Sequence, residues 1–233
     1  MAHPSKPMRQ SELDKRLRAV AKAEAKQRGW KSVGGMPYWQ EGPLLFVLVL
    51  SASAKERFIF ASLRFKWLAL DNMLWRVLDI ESNEKEPFSL HANGAFALTG
   101  TELLSRREEV PSWDGDALGV RVSETAQKAA KTALETMQSV STLDDYVCFI
   151  KQKHVELIAR HPRAVVTTWA EETLAALVTG DVARAKKLAE AQAAKHESGG
   201  YVSGGMSLYE RVLALSSLPP NNSSKPTPLR GAA

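Results

Sequence analysis

Histidines are the side chains of this sequence best suited to acid–base chemistry or metal binding. His154 and His161 are seven residues apart, so on one helix they share a side but lie about 10 Å apart along its axis. One metal ion cannot bridge that distance with ligand bonds of about 2 Å. His154 also falls on an apolar stripe, which predicts a hydrogen-bonded core histidine. His91 is the other candidate for a general base, although we expect it to be an exposed polar residue in a strand.

The remaining reactive side chains form no catalytic motif. Cys148 and His154 are six residues apart, roughly 240° around a helix, so they cannot pair within it. We expect Cys148, the single cysteine, to be a small core residue that makes no disulfide. The sequence contains no G-x-S-x-G, H-E-x-x-H or C-x-x-C pattern. It therefore predicts no catalytic residue, no metal site and no cofactor.

The net charge of +5 comes from one segment. Residues 1–31 carry nine Lys or Arg against three acidic residues, and the rest of the chain has a net charge of −1. A basic helix attracts nucleic acid, anionic lipid or an acidic protein. Its candidate anion contacts are Arg16, Lys22 and Lys26. Because such cations more often form a solvated helix face, nucleic acid is not the partner that the sequence favours.

Two consecutive strands are predicted to form the centre of a sheet. Leu44–Ser53 is apolar on both faces at its start, which is typical of a strand covered on both sides. A polar loop, residues 54–57, separates it from Phe58–Trp67, which alternates. One face of this second strand is apolar and predicted to be core. The other face mixes aromatic and cationic residues: Phe58, Phe60, Ser62, Arg64 and Lys66.

Helical and strand patterns elsewhere complete an α+β fold, in which strands are segregated from helices. We predict an N-terminal helix, an antiparallel meander sheet with a second hairpin, and an alanine-rich C-terminal helical region. Asn93-Gly94 between apolar runs predicts the hairpin within Phe88–Leu98. The other predicted elements are a helix from Ser11 to Gly29, an edge strand at Met36–Gln40, a helix at Trp67–Leu78, a strand at Leu118–Val122, and helices at 123–140, 142–160, 164–178, 181–195 and 208–215.

These elements predict four regions along the chain. Residues 1–9 are predicted to be a flexible leader, residues 10–160 an α+β domain, residues 163–216 a helical extension packed on it, and residues 217–233 a disordered tail with four prolines in its last fifteen residues. The longest apolar run, Leu44–Leu50, is far shorter than the roughly 20 residues that a membrane-spanning helix needs. We also find no secretory signal pattern at the start of the sequence. A cytoplasmic protein without membrane association is therefore expected.

Several aromatic placements carry a family resemblance. The first helix ends in "GW" (Gly29-Trp30), followed by "YWQEG" (Tyr38–Gly42), an apolar strand and "FIFASLRFKW" (Phe58–Trp67). Over residues 10–150 this order resembles a bacterial domain-of-unknown-function family found among immunity proteins of polymorphic toxin systems. The resemblance implies a small cytoplasmic protein that binds a toxin and occludes it without catalysis, and it carries over no catalytic residues.

A protein-binding role agrees with the residue types on the outward face of the sheet. Tight interfaces concentrate aromatic and arginine anchors. The predicted partner-binding residues are Phe58, Phe60, Arg64 and Lys66 with exposed Tyr38 and Trp39. Two alternatives stay open: an enzyme with His91 or His154 as base in a sheet–helix pocket, and a nucleic-acid-binding protein. Sheet aromatics flanked by cations stack RNA bases in some domains, but the Lys/Arg-Gly-Phe motif of such sheets is absent here. No oligomeric state is predicted.

Overall fold

The computed structural model describes residues 8–85, 88–93, 96–113, 116–162, 168–195 and 201–215. It confirms the α+β class: a helix, a five-stranded antiparallel sheet, and then mostly helices. The helices are α1 (Gln10–Gln27), α2 (Leu68–Val77), α3 (Ser89–Asn93), α4 (Ala117–Ser139), α5 (Leu143–Arg160), α6 (Thr168–Val178), α7 (Val182–Ala193) and α8 (Leu208–Ala214). The strands are β1 (Lys31–Val33), β2 (Met36–Glu41), β3 (Leu44–Ser53), β4 (Phe58–Trp67), β5 (Thr101–Glu109), β6 (Val202–Ser203) and β7 (Met206–Ser207).

The main sheet is a meander in which each strand pairs with the next, in the order β1 to β5. The β3–β4 ladder runs without a break from Leu44 opposite Trp67 to Ser53 opposite Phe58. This confirms both predicted strands and the loop between them. β1 and β5 were not predicted, because β1 has three residues and β5 carries five charged residues among its nine. β5 is one edge of the sheet, where charged side chains discourage pairing with other chains.

One face of the sheet is buried beneath helices. Phe46, Leu63 and Phe65 are almost fully buried there, and the Phe65 ring lies 5.3 Å from that of Tyr146 in α5. Toward the other end of the same face, Ile59 packs with Leu13 of α1. Small alanine side chains are buried in these helices, among them Ala126, Ala129 and Ala133 of α4. The predicted core face of β4 is therefore confirmed.

Two predicted elements are wrong. The predicted hairpin within Phe88–Leu98 is replaced, in the described residues, by the short helix α3. The strand that follows α3 in the described chain is β5. Phe88 and His91, three residues apart, meet ring to ring at 5.3 Å, as residues on one side of a helical turn do. The strand expected at Leu118–Val122 is the start of α4, where these two buried residues are four apart on one helix face. The described chain has its second hairpin at β6–β7.

Side-chain caps fix several helix starts. Thr142 with Asp145 in α5 and Ser207 with Glu210 in α8 each form a capping box. The first helix, predicted from Ser11, begins at Gln10, after Arg9, with no side-chain cap. No helix among the described residues has the length and apolar character to cross a membrane. The division into regions stays a prediction, and residues 1–7 and the whole predicted tail lie outside the described residues.

Candidate functional site

The side of the sheet opposite the main helices is partly uncovered. We call its outward side chains on β3, β4 and β5 the open sheet face: Val49, Ser51, Phe58, Phe60, Arg64, Ser105 and Arg107. Residues that are paired directly across neighbouring strands point to the same face. Val47, Val49 and Ser51 of β3 are paired with Arg64, Ser62 and Phe60 of β4. Ser105 and Arg107 of β5 are paired with Ser62 and Phe60. Phe58 and Phe60 are partly exposed, and Ser51, Ser105 and Arg107 are exposed.

An arginine covers one ring of this face. The Arg107 guanidinium lies 3.9 Å from the centre of the Phe58 ring, a cation–π contact across two strands. Arg107 also pairs with Glu56 at 3.3 Å, and both of these side chains are mostly exposed. An exposed pair contributes little to stability. The open sheet face therefore offers an arginine and two phenylalanines on a rigid support.

The structure separates the predicted partner-binding residues. Phe58, Phe60 and Arg64 lie on the open sheet face, and Tyr38 is on the same side, opposite Val47, with its ring stacked 4.9 Å from Phe88. Trp39 points to the other side, where it packs against Trp30 and Phe46. Tyr38 and Trp39 are both only partly exposed, so the expectation that they are exposed is wrong.

Lys66 is buried, which corrects its predicted place on an accessible surface. Its side chain is 3% exposed because the backbone around Leu98 passes over it. The ammonium donates to the Leu98 carbonyl at 2.8 Å and pairs with Asp71 of α2 at 2.6 Å. Burial lowers the pKa of Lys66, and the neighbouring Asp71 carboxylate opposes this. Alternation along β4 placed Lys66 on the outward side but could not show what covers it.

Asp71 is the centre of a polar network that sequence reasoning missed. It is fully buried, and its two oxygens accept from Lys66, from the Leu98 backbone N–H at 2.8 Å and from His91 at 2.7 Å. The Trp75 indole N–H also donates to the Phe96 carbonyl at 2.8 Å. His91, Phe96 and Leu98 are thus held on β4 and α2 by hydrogen bonds that are buried or partly buried. A signal existed: Asp71 falls on the apolar face of its helix, between Leu68 and Leu74.

His91 was expected to be an exposed strand residue, and that expectation is wrong. It lies on α3, its side chain is 17% exposed, and Nδ1 is 2.7 Å from an oxygen of Asp71. Its ring packs 4.7 Å from Trp75. His91 also lines a cavity of about 210 Å³ together with Val47 and Arg64. The contact with Asp71 fixes the ring by Nδ1, in a residue that lines this cavity.

A second buried polar pair lies between α5 and α6. The Tyr146 hydroxyl donates to Glu171 at 2.7 Å, and both side chains are buried. Burial raises the pKa of Glu171 to about 7, while the Tyr146 hydrogen bond and the charge of Lys66 oppose it. Burial also raises the pKa of Tyr146 well above its ordinary value. Near neutral pH, Glu171 is therefore partly protonated, unlike an ordinary surface glutamate.

A larger cavity, about 660 Å³, lies between β5 and α5, and we call it the α5–β5 cleft. Residues of β5 line one side and a face of α5 the other, with Arg64 and Glu171 also in its wall. Its volume is within the range of sites that bind small molecules, roughly 300–1,000 Å³. The charged and imidazole side chains that line it are Arg64, Glu102, Lys153, His154, Arg160, His161 and Glu171.

His154 is therefore a cleft residue that is partly exposed, and the expectation of a core histidine is wrong. Cys148 is exposed, which corrects its expected place in the core. Its neighbours Val147 and Ile150 take the buried positions on α5 instead. Within the described ranges, no three His, Cys, Asp or Glu side chains gather as a metal ion would require.

The predicted anion contacts of α1 do not act as a group. Lys22 and Lys26 are exposed, but Arg16 is partly buried and donates to the Trp113 carbonyl at 3.3 Å. Arg28 of the same segment pairs with Glu24 at 3.3 Å and donates to the Ser123 carbonyl. Part of the basic charge thus attaches α1 to the rest of the fold, so of the three predicted anion contacts Lys22 and Lys26 are exposed and Arg16 is not.

Comparison with known proteins adds no relative from which a role could be transferred. The chain matches no protein-family model, no curated protein and no solved structure. The immunity-protein resemblance therefore stays a prediction.

Proposed function

We propose that this protein works by binding a protein partner on the open sheet face, without catalysing a reaction. The observation that carries the proposal is the placement of Phe58 and Phe60, partly exposed, beside Arg64 and Arg107 on paired strands. Such aromatic and arginine anchors dominate the energy of tight interfaces, and anchors on a rigid support lose little entropy when they bind.

The partner that we propose is a bacterial toxin whose working surface the open sheet face covers, in the cytoplasm. This part of the proposal is supported by the family resemblance of residues 10–150. Occlusion needs a surface but no reactive group, which agrees with a face made of rings and guanidinium groups. Trp39 and Lys66 have no part in this interface, because one packs on the opposite side and the other is buried.

Affinity measurements on matched variants test the proposed interface. A partner recovered with the purified protein is titrated against Phe60→Ala and Arg64→Ala, each of which we expect to weaken binding by about 2 kcal/mol, or roughly 30-fold. Val155→Ala is the apolar control, since Val155 is exposed on α5, which packs on the other side of the sheet, and Arg184→Ala of α7 is the arginine control. Unchanged affinity in both face variants would show that this face is wrong.

One observation favours a second candidate, an enzyme with His91 as general base. A carboxylate on Nδ1 fixes the tautomer of a histidine and leaves Nε2 to take up a proton. Asp71 and His91 have that geometry, and His91 lines the 210 Å³ cavity with Arg64. A turnover that follows a histidine-like pH profile and is lost in His91→Asn, with the fold intact, would favour this candidate over pure binding.

A further inference from the structure

The α5–β5 cleft presents cations at helical spacing along one side. Ile150, Lys153, His154, Leu157, Arg160 and His161 all line it, with the spacing of three and four residues that keeps side chains on one helix face. Arg160 and His161 lie at the carboxyl end of α5, where positive charge complements the helix dipole. Lys153 and His154 are a full turn or more before that end. The dipole therefore gives no reason for the positions of Lys153 and His154, which form a cationic side of the cleft, and Arg64 of β4 also lines it.

The nearby acids leave these cations available to a ligand. Glu102 accepts from Ser62 at 2.7 Å on the sheet side. Glu156 is the partner of Lys153 at 2.8 Å, but both side chains are about one-third exposed. Such a pair contributes little energy and exchanges readily. Glu171, the remaining acid of the wall, has a pKa raised to about 7 by burial, so near neutral pH it repels an anion less than an ordinary glutamate does.

Apolar side chains line the same cleft beside the cations. Leu103, Leu104 and Leu157 are partly exposed there, and Ile150 is buried behind them. Pockets for small organic molecules combine an apolar lining with a few placed polar groups that fix the orientation. A bare inorganic ion would use only the cationic part of this lining.

We propose that the α5–β5 cleft binds a phosphate dianion attached to a small apolar body, with Arg64, Lys153 and His154 contacting the phosphate and the leucines contacting the apolar part. Arginine, lysine and an imidazole N–H are all donors that suit phosphate oxygens. The cleft shares Arg64 with the open sheet face but not Phe58 or Phe60, so this site adds to the proposed function, and Lys153 and His154 test it separately.

Calorimetric titration with three probes tests the ligand class. Phenyl phosphate carries both parts, inorganic phosphate only the dianion, and benzyl alcohol only the apolar ring. We expect saturable one-to-one binding of phenyl phosphate with a Kd below about 1 mM, about tenfold weaker binding of phosphate, and no saturation with benzyl alcohol. Absence of saturation by phenyl phosphate up to about 10 mM overturns the proposal, as does equal binding of phosphate and phenyl phosphate.

Two lysines of α5 provide a matched control for the site. Lys153 lines the cleft, whereas Lys151, two residues earlier and outside the lining, pairs with Glu172. Lys153→Ala and His154→Ala are each expected to weaken phenyl phosphate binding roughly tenfold or more, and Lys151→Ala by less than about twofold. Equal losses from Lys151→Ala and Lys153→Ala would mean diffuse surface charge and would overturn the site. His154 is outside the open sheet face, so His154→Ala must leave partner affinity unchanged.

Discussion

The contribution of Glu171 to the stability of this fold is expected to fall with rising pH. Its carboxyl is buried, and burial raises its pKa from 4.5 to about 7. Because the folded state holds this proton more tightly than the unfolded chain, the stabilisation is complete below about pH 4.5 and is lost as the pH rises through about 7. At about 1.4 kcal/mol for each tenfold difference in proton affinity, the loss is about 3 kcal/mol between pH 4.5 and 8.5.

Glu171→Gln isolates this effect from other titrating groups. The glutamine keeps a carbonyl oxygen that can accept from the Tyr146 hydroxyl but has no proton to lose. Urea unfolding of both proteins is followed by tryptophan fluorescence at pH 4.5 and pH 8.5. At each pH the free energy of unfolding of the unmodified protein is subtracted from that of Glu171→Gln. Histidine titrations then cancel, because both proteins share them.

The expected result is a difference that grows with pH. The free energy of unfolding of Glu171→Gln, relative to that of the unmodified protein, should rise by about 3 kcal/mol from pH 4.5 to pH 8.5. For a chain of this size, that is a shift of about 1 M in the urea midpoint. The control is Glu172→Gln on the same helix, whose side chain pairs with Lys151 near the surface. If the Glu171→Gln difference is the same at both pH values within about 0.5 kcal/mol, the carboxyl does not carry its proton in the fold and the reasoning is refuted.

Two further substitutions test how the backbone over the sheet is held. Lys66→Met leaves the buried Asp71 carboxylate without its cation, and we expect a loss of about 3–5 kcal/mol in urea unfolding. The double variant Lys66→Met/Asp71→Asn should recover part of that loss; no recovery would mean that the pair contributes nothing beyond packing. Gly100→Ala is expected to cost about 2 kcal/mol or more, since φ is +79° and the new Cβ would lie 2.7 Å from the Phe65 carbonyl oxygen. A melting temperature equal to that of the unmodified protein would contradict this.

The central strands were predictable because their pattern and their environment agree. Leu44–Ser53 and Phe58–Trp67 keep the pleat period over ten residues each, and one face of the pair is buried as the pattern requires. The segment from Phe88 was not predictable in the same way, because its conformation is set by distant groups. His91 is held by Asp71, and the backbone at Leu98 is held by Lys66. An Asn-Gly turn signal cannot compete with such tertiary contacts.

Some residues of the candidate sites were predictable from the sequence and others were not, for the same reason. Phe58, Phe60 and Arg64 could be placed on one face from alternation alone. Glu171 was visible only as one of two adjacent glutamates in α6, a pattern that does not show which of the two is buried or what its partner is. The α5–β5 cleft depends on β5, where a run of four charged residues conceals the strand pattern, so reasoning from the sequence did not place His154 and Arg64 in one cavity.

Arg64 is the residue that the two proposals share. It lies on the open sheet face and also lines the α5–β5 cleft and the cavity beside His91. Arg64→Ala is therefore expected to weaken both protein binding and phenyl phosphate binding, and alone it distinguishes nothing. Phe60 belongs only to the open sheet face and His154 only to the α5–β5 cleft, so each of their variants tests one proposal. One measurable outcome is that phenyl phosphate weakens partner binding to the unmodified protein but not to His154→Ala. That result would mean that the two ligands compete for the Arg64 guanidinium.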